Sequence, residues 1–136
     1  MTRINIVPVD ELIDQHLIAE YREITMVPAA LNRTLNSKKG LDPKKISETY
    51  TLNTGHVYFF YNKGLYLSKR YHALISEMKK RGFSPDIDRK FPIDIFKNNG
   101  LYNDWNPRPH EYLIIRKRIE ERIKMKPQWY RMTKKW

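Results

Sequence analysis

The sequence predicts an all-α fold: a single compact domain over residues 1–136, with about three main helices and long loops between them. Three observations predict it. Apolar residues recur at steps of three and four along three separate stretches, the spacing of one helix face. Alternation of apolar and polar residues, the mark of a half-buried strand, is nearly absent. Proline and glycine punctuate the stretches, with Gly82 then Pro85 after the second, Pro109 opening the third and Pro127 closing it. A chain of 136 residues is long enough for one core and not for two.

The first helix is expected to start near Asp10, a residue type suited to an N-cap. Its apolar stripe is Ile13, Leu17, Tyr21 and Ile24, and His16, Glu20 and Glu23 fall on an adjoining stripe. Pro28 kinks or restarts this helix, which continues through Ala29, Ala30 and Leu31. From Ser37 to Thr54 the chain turns polar, with Lys38-Lys39-Gly40 and Asp42-Pro43 as breakers, and reads as loop. The second helix is expected from Val57 to Arg81, with Leu67, Tyr71, Leu74 and Met78 inward. Gly64 weakens its first turns.

Residues 84–108 hold much of the proline and asparagine and read as a long loop with local turns. The third helix runs from Pro109 to about Lys124, with Tyr112, Ile115, Ile119 and Ile123 inward. The tail from Gln128 to Trp136 is aromatic and basic, and no internal repeat is present.

Charge is the outlying quantity. Lys+Arg 26 against Asp+Glu 15 gives +11, which points to a polyanion, most simply nucleic acid. With no cysteine, disulfides, thiol catalysis and thiolate metal sites are excluded. No segment approaches the roughly 20 apolar residues of a membrane span, and no signal-peptide pattern appears. A soluble, cytoplasmic protein with access to DNA is expected, and no membrane partner. The four histidines form no HExxH and no close pair, so no metal is expected.

The opening residues suggest a chemistry. A small residue after the initiator lets Met1 be removed, leaving Thr2 with a free α-amine. Such an amine titrates at roughly 7.7–8.0, far below about 10.4 for lysine, so much of it is uncharged near neutrality. Nearby cations such as Arg3 and Arg22 lower it further and could hold a phosphate beside it. That is a usable nucleophile for a sugar carbon, and Glu23 could supply the acid/base half.

Met1-Thr2-Arg3-Ile4-Asn5, Asp14-Gln15-His16-Leu17, Ala19-Glu20-Tyr21-Arg22-Glu23, Gly55-His56-Val57 running into Phe59-Phe60-Tyr61 and Lys63, and Pro127, Trp129 and Tyr130 follow one another in this order. In order, spacing and total length they resemble the pyrimidine-dimer DNA glycosylases of the endonuclease V type, small basic enzymes of phages, viruses and some bacteria. The resemblance implies a monomeric, cofactor-free glycosylase and abasic-site lyase acting on double-stranded DNA that carries cyclobutane pyrimidine dimers or abasic sites. In that family the amine matching Thr2 attacks the sugar C1′ and the base leaves. A protonated imine forms, and β-elimination breaks the strand on the 3′ side. The carboxylate matching Glu23 is essential, and arginines matching Arg3 and Arg22 grip phosphates. Family members also bend the duplex and flip out the base opposite the lesion. The resemblance further carries Gln15, His16, Arg122, Trp129 and Tyr130 over as DNA contacts, Arg122 matching a family lysine.

Two departures are visible, the first in the tail, which is less aromatic after Tyr130, with Arg131 and Met132 in place. The family commonly has an arginine three residues after Glu23, where this chain has Met26, and Arg33 is the nearby basic residue that could compensate. Other readings stay open. His16 is a structural hydrogen-bonding residue or a site residue, and His56 a structural one at a helix start. Trp129 and Tyr130 cap the core or contact DNA. Arg22 and Glu20 could simply be surface charges, and Lys79-Lys80-Arg81 complements a helix C-terminus. Arg116-Lys117-Arg118, with Arg122, Lys124 and Lys126, is a solvated face or lies in part along the phosphate backbone. At the level of function, a non-catalytic DNA-bending protein of the same fold fits the charge equally. A glycosylase or lyase for another lesion is the third possibility.

Overall fold

The first apolar stripe builds two helices rather than one. A computed structural model describes residues 2–133, and among them are helices, turns and loops with no strand. Val9–Glu11 form a 3-10 turn, and Leu12 and Ile13 are extended, so helix α1 runs Asp14–Glu23. The expected start at Asp10 is thus displaced: buried Leu12 draws the chain inward before the helix can begin. Helix α2 spans Met26–Leu35. Pro28 sits in its first turn, where a missing N–H breaks no helical bond, so it starts a helix instead of kinking one.

The break between α1 and α2 is held from outside. Arg89 Nη2 donates to the Tyr21 carbonyl at 2.7 Å, to that of Arg22 at 3.3 Å and to Thr25 Oγ1 at 2.9 Å. The first two are carbonyls that the end of α1 leaves without an intrahelical partner. The guanidinium also lies 4.5 Å from the centroid of the Tyr21 ring.

The second predicted helix is divided too. Helix α3 is His56–Phe59, a 3-10 turn covers Phe60–Asn62, and helix α4 is Gly64–Lys80. Phe59, Phe60 and Tyr61 are all buried, and three consecutive side chains on a straight helix would point over too wide an arc to share one core. The break at Lys63 lets all three turn inward, and Lys63 Nζ donates to the Phe59 carbonyl at 2.9 Å. Gly82 ends α4 as expected: at φ +87 its N–H donates to Lys79, and that of Phe83 to Met78.

Helix α5, Asp94–Lys97, interrupts the segment expected to be loop. Its Phe96 is fully buried and explains Gly64: a Cβ there would stand 2.4 Å from Phe96 Cγ. Helix α6 spans Pro109–Met125, close to expectation. Of its predicted inward residues Ile115 is fully buried, while Tyr112, Ile119 and Ile123 are half-buried.

One core holds these elements. Leu17, Tyr21 and Ile24 of α1, Val27 and Leu31 of α2, and Leu67, Tyr71, Leu74 and Met78 of α4 meet there, with Ile4, Ile6 and Val7 of the N-terminal segment. Among the described residues no helix is long and apolar enough to cross a membrane.

Candidate active site

The N-terminal segment has no secondary structure of its own, so other elements must satisfy its backbone. The Ile4 N–H donates to His56 Nε2 at 2.8 Å, and the Ile4 carbonyl accepts from the Tyr50 hydroxyl at 2.7 Å. Because His56 Nδ1 lies 2.7 Å from the Thr51 carbonyl, the ring is fixed as the Nδ1–H tautomer. Burial lowers its pKa and keeps it neutral. The structural reading of His56 therefore holds.

Glu20 does the larger share of the pinning. Its Oε1 accepts from the Asn5 N–H at 2.9 Å, from Asn5 Nδ2 at 2.8 Å and from Arg70 Nη2 at 3.0 Å. Its Oε2 takes Arg70 Nε at 2.6 Å. Arg70 Nη1 also donates to the Val7 carbonyl. A surface charge was one reading of Glu20, and the structure corrects it: the residue is buried, as is its partner. Arg81 is corrected likewise, being buried and paired with Glu77 and Asp14 instead of merely complementing a helix end. The clamp around Glu20 over-determines a strained residue. Ile6, β-branched, sits at φ +48, a conformation that costs of order 1–3 kcal/mol.

The clamped segment and the predicted polar stripe of α1 together form one wall of a cleft. The cleft has a volume of about 240 Å³ and is lined by Arg3, Asn5, His16, Ala19, Glu20, Glu23, Arg118 and Arg122. His16, Glu20 and Glu23 lie on one face because they are spaced i, i+4 and i+7. Arg118 and Arg122 reach in from α6 by the same four-residue step.

The charges in the cleft are unevenly committed. Among the described residues no carboxylate lies within ion-pair distance of Arg3 or Arg122, whereas Arg116 pairs with Glu11 at 2.7 Å and Lys124 with Glu120 at 3.0 Å. Burial, together with the positive field of Arg122 and Arg118, pulls the pKa of Arg3 below the ordinary guanidinium value despite an opposing Tyr50. Guanidinium groups that no carboxylate of the protein pairs can take a phosphate instead. Glu20 is held by its bonds, while Glu23, half-buried on the same face, makes no hydrogen bond or ion pair among the described residues. Two carboxylates one helical turn apart are thereby separated into a fixed one and a free one.

His16 is buried, with no hydrogen-bond partner for its Nδ1 among the described residues, and its ring lies 5.1 Å from that of Tyr130. Burial, then the fields of Arg3 and Arg122, push its pKa down to about 4. It faces the cleft as a neutral imidazole.

Thr2 is buried and is not among the residues that line the cleft; its hydroxyl donates to Met26 Sδ at 3.3 Å. Met1 lies outside the described residues. Arg22 and Arg33 are exposed, on α1 and α2, and neither lines the cleft. The amide of Gln15 is engaged by the tail: Nε2 donates to the Trp129 carbonyl at 2.6 Å and Oε1 accepts from the Arg131 N–H at 3.0 Å. Tyr130 is half-buried against His16, while Trp129 remains 57 % exposed. The last part of the aromatic tail, residues 134–136, lies outside the described residues.

Sequence reasoning did not single out Asn5 or Arg70, and it named Arg118 only within a basic run. The four-residue step from Arg118 to Arg122 was a usable signal for Arg118. Nothing local marked Arg70, whose partner stands 50 positions away. A family model for pyrimidine dimer DNA glycosylase matches residues 1–91, a span that holds the clamped segment and α1 through α4.

Proposed function

The chain belongs to the pyrimidine dimer DNA glycosylase family, whose substrate is DNA, and on that premise we propose that it cleaves the dimer's glycosidic bond and then the strand. Thr2 supplies the nucleophile once Met1 is removed. Its amine attacks C1′ of the damaged nucleotide, the C1′–N bond breaks and its electron pair leaves with the base. The resulting amino sugar opens to a protonated imine. The imine acidifies the C2′ proton; its removal drives β-elimination, in which the C3′–O bond breaks and the 3′ phosphate departs. Glu23 faces the positive charge that grows on the sugar and takes part in the proton transfers. Arg3, Arg22 and Arg122 hold flanking phosphates.

The observation that carries this reading is the asymmetry of the cleft. A free carboxylate, Glu23, shares the cleft with Arg3 and Arg122, neither of which has an ion-pair partner among the described residues. A protein that only bends DNA needs the cations and has no use for a half-buried carboxylate that would repel phosphate.

Borohydride trapping tests it. Purified protein is mixed with one duplex carrying a cyclobutane thymine dimer and another carrying an abasic site, and reductant is added. A covalent adduct on both is expected, lost when the Thr2 α-amine is blocked by acetylation. An adduct on the abasic duplex alone would mean a lyase for another lesion. None on either, with DNA binding intact, would leave a non-catalytic binding protein. Glu23→Gln should bind DNA nearly as well as the parent and fail to nick irradiated plasmid; a variant that still nicks would remove Glu23 from the mechanism. Intact-mass measurement should show Met1 absent.

A further inference from the structure

Thr2 and Met26 lie on two segments that are fixed independently. The N-terminal segment is pinned at Ile4 by His56 and at Asn5 by Glu20. Met26 opens α2 directly after Thr25, whose hydroxyl accepts a hydrogen bond from Arg89. The two segments meet where the Thr2 hydroxyl donates to Met26 Sδ, the one hydrogen bond of Thr2 among the described residues. A thioether is a weak acceptor, so this contact holds Thr2 loosely.

The Thr2 side of the contact is buried, whereas Met26 is 51 % exposed. Met78 is buried in the core, and Met125 and Met132 are exposed. Among the described methionines only Met26 has a sulfur that accepts a hydrogen bond. An exposed thioether is oxidised by peroxide to the sulfoxide, and methionine sulfoxide reductases reverse the change. The peroxide O–O bond breaks, one oxygen bonds to sulfur through a sulfur lone pair, and the other leaves as water. Sulfur is oxidised by two electrons and the peroxide is reduced by two. Thr2 engages one of the two sulfur lone pairs and leaves the other for the oxygen.

We propose that Met26 is a reversible oxidation site that switches the Thr2 amine: hydrogen peroxide converts it to the sulfoxide, and imine formation slows while DNA binding persists. The proposal rests on the reading of Thr2 as the nucleophile. A sulfoxide oxygen carries partial negative charge and is a far stronger acceptor than a thioether sulfur. The hydroxyl and α-amine of Thr2 are borne by adjacent carbons, so an acceptor at the first reaches the second. It holds the amine in its protonated form, which cannot attack C1′. Met26 does not line the cleft, so Arg3 and Arg122 keep their hold on phosphate.

The parent, Met26→Leu and Met26→Gln would be assayed before and after hydrogen peroxide, which is destroyed before substrate is added. Trapping rate and dissociation constant are measured on the abasic duplex, and mass spectrometry reports oxygen gained by the peptide that carries residue 26. The treated parent should gain one oxygen there, keep its affinity and recover its rate with methionine sulfoxide reductase. Its trapping rate near neutrality should fall about tenfold, the loss for each unit by which the amine's pKa is raised. Raising the pH should restore the oxidised parent, because the held amine still loses its proton; a distorted fold would not respond. Met26→Leu should keep its own untreated rate after peroxide, even as Met125 and Met132 oxidise. Met26→Gln places a carbonyl where the sulfoxide oxygen would stand, and should be slow without peroxide and indifferent to it. Unchanged trapping with Met26 oxidised, an equal loss in Met26→Leu, or no recovery at higher pH would each overturn the switch while the Thr2 chemistry stands. An untreated parent that forms no adduct would instead bring down the Thr2 reading, and the switch with it.

Discussion

His16 shows how position decides what a side chain can do. In an unfolded chain its imidazole takes a proton near 6.5, whereas in the cleft burial and the two arginines hold it at about 4. Between those values the unfolded state binds a proton that the folded state refuses, so stability is complete above about pH 6.5 and falls as pH drops toward about 4. His56, lowered by its own burial, adds in the same direction. Urea midpoints measured across this window should decline with acid, and His16→Asn should flatten part of the decline. An unchanged slope would mean that the folded protein takes up the proton at His16. At residue scale the sequence was informative where spacing was enough: His16, Glu20 and Glu23 share a face because a helix repeats every 3.6 residues. It was silent where burial mattered. Nothing in the letters separates a Glu20 locked by Arg70 from a Glu23 left free, since the lock comes from a residue 50 positions on.

At the scale of elements, apolar periodicity located the helices, and Pro28 and Gly64 marked their interruptions without fixing where they fall. The stripe through Leu17, Tyr21 and Ile24 is buried as read, and so is the one through Leu67, Tyr71, Leu74 and Met78. The breaks at Thr25 and Lys63 depend on partners far away in the chain. Arg89 supplies the first, by capping the end of α1. Phe96 governs the second. Gly64 opens α4 against the Phe96 ring, and a Cβ would meet that side chain at its Cγ and Cβ, the parts nearest the backbone and least able to move. Gly64 was legible as a weak point in a long helix, but the close approach that requires it was not, because α5 lay hidden in a proline-rich segment. Gly64→Ala gains helix propensity of about 1 kcal/mol and loses more to the clash, so a net destabilisation of about 1–3 kcal/mol is expected from denaturant unfolding. A variant as stable as the parent would show that α5 can shift without cost.

The net charge of +11 is a property of the whole molecule, and the fold decides how much of it is available to DNA. Arg70 and Arg81 are consumed in buried pairs, and Arg116 is tied to Glu11 on the surface. Arg3, Arg22 and Arg122 have no carboxylate within ion-pair distance among the described residues, and Arg3 and Arg122 converge on the cleft. Composition alone therefore overstates the electrostatic footprint, because a paired arginine releases no counterion when DNA arrives. Each phosphate neutralised by a free cation contributes about −0.9 to the slope of log affinity against log salt. Arg3→Gln, Arg22→Gln and Arg122→Gln should each weaken binding on any sequence and make the slope shallower by about 1. Arg116→Gln removes the same formal charge from the same helix that carries Arg122, and should leave the slope unchanged. Titrations of a labelled duplex across a salt series make the comparison directly. If all four variants shift the slope alike, DNA responds to the overall charge and the cleft has no privileged role in holding phosphate. If only the unpaired three do, the ion pairs formed within the protein set the face that meets the duplex.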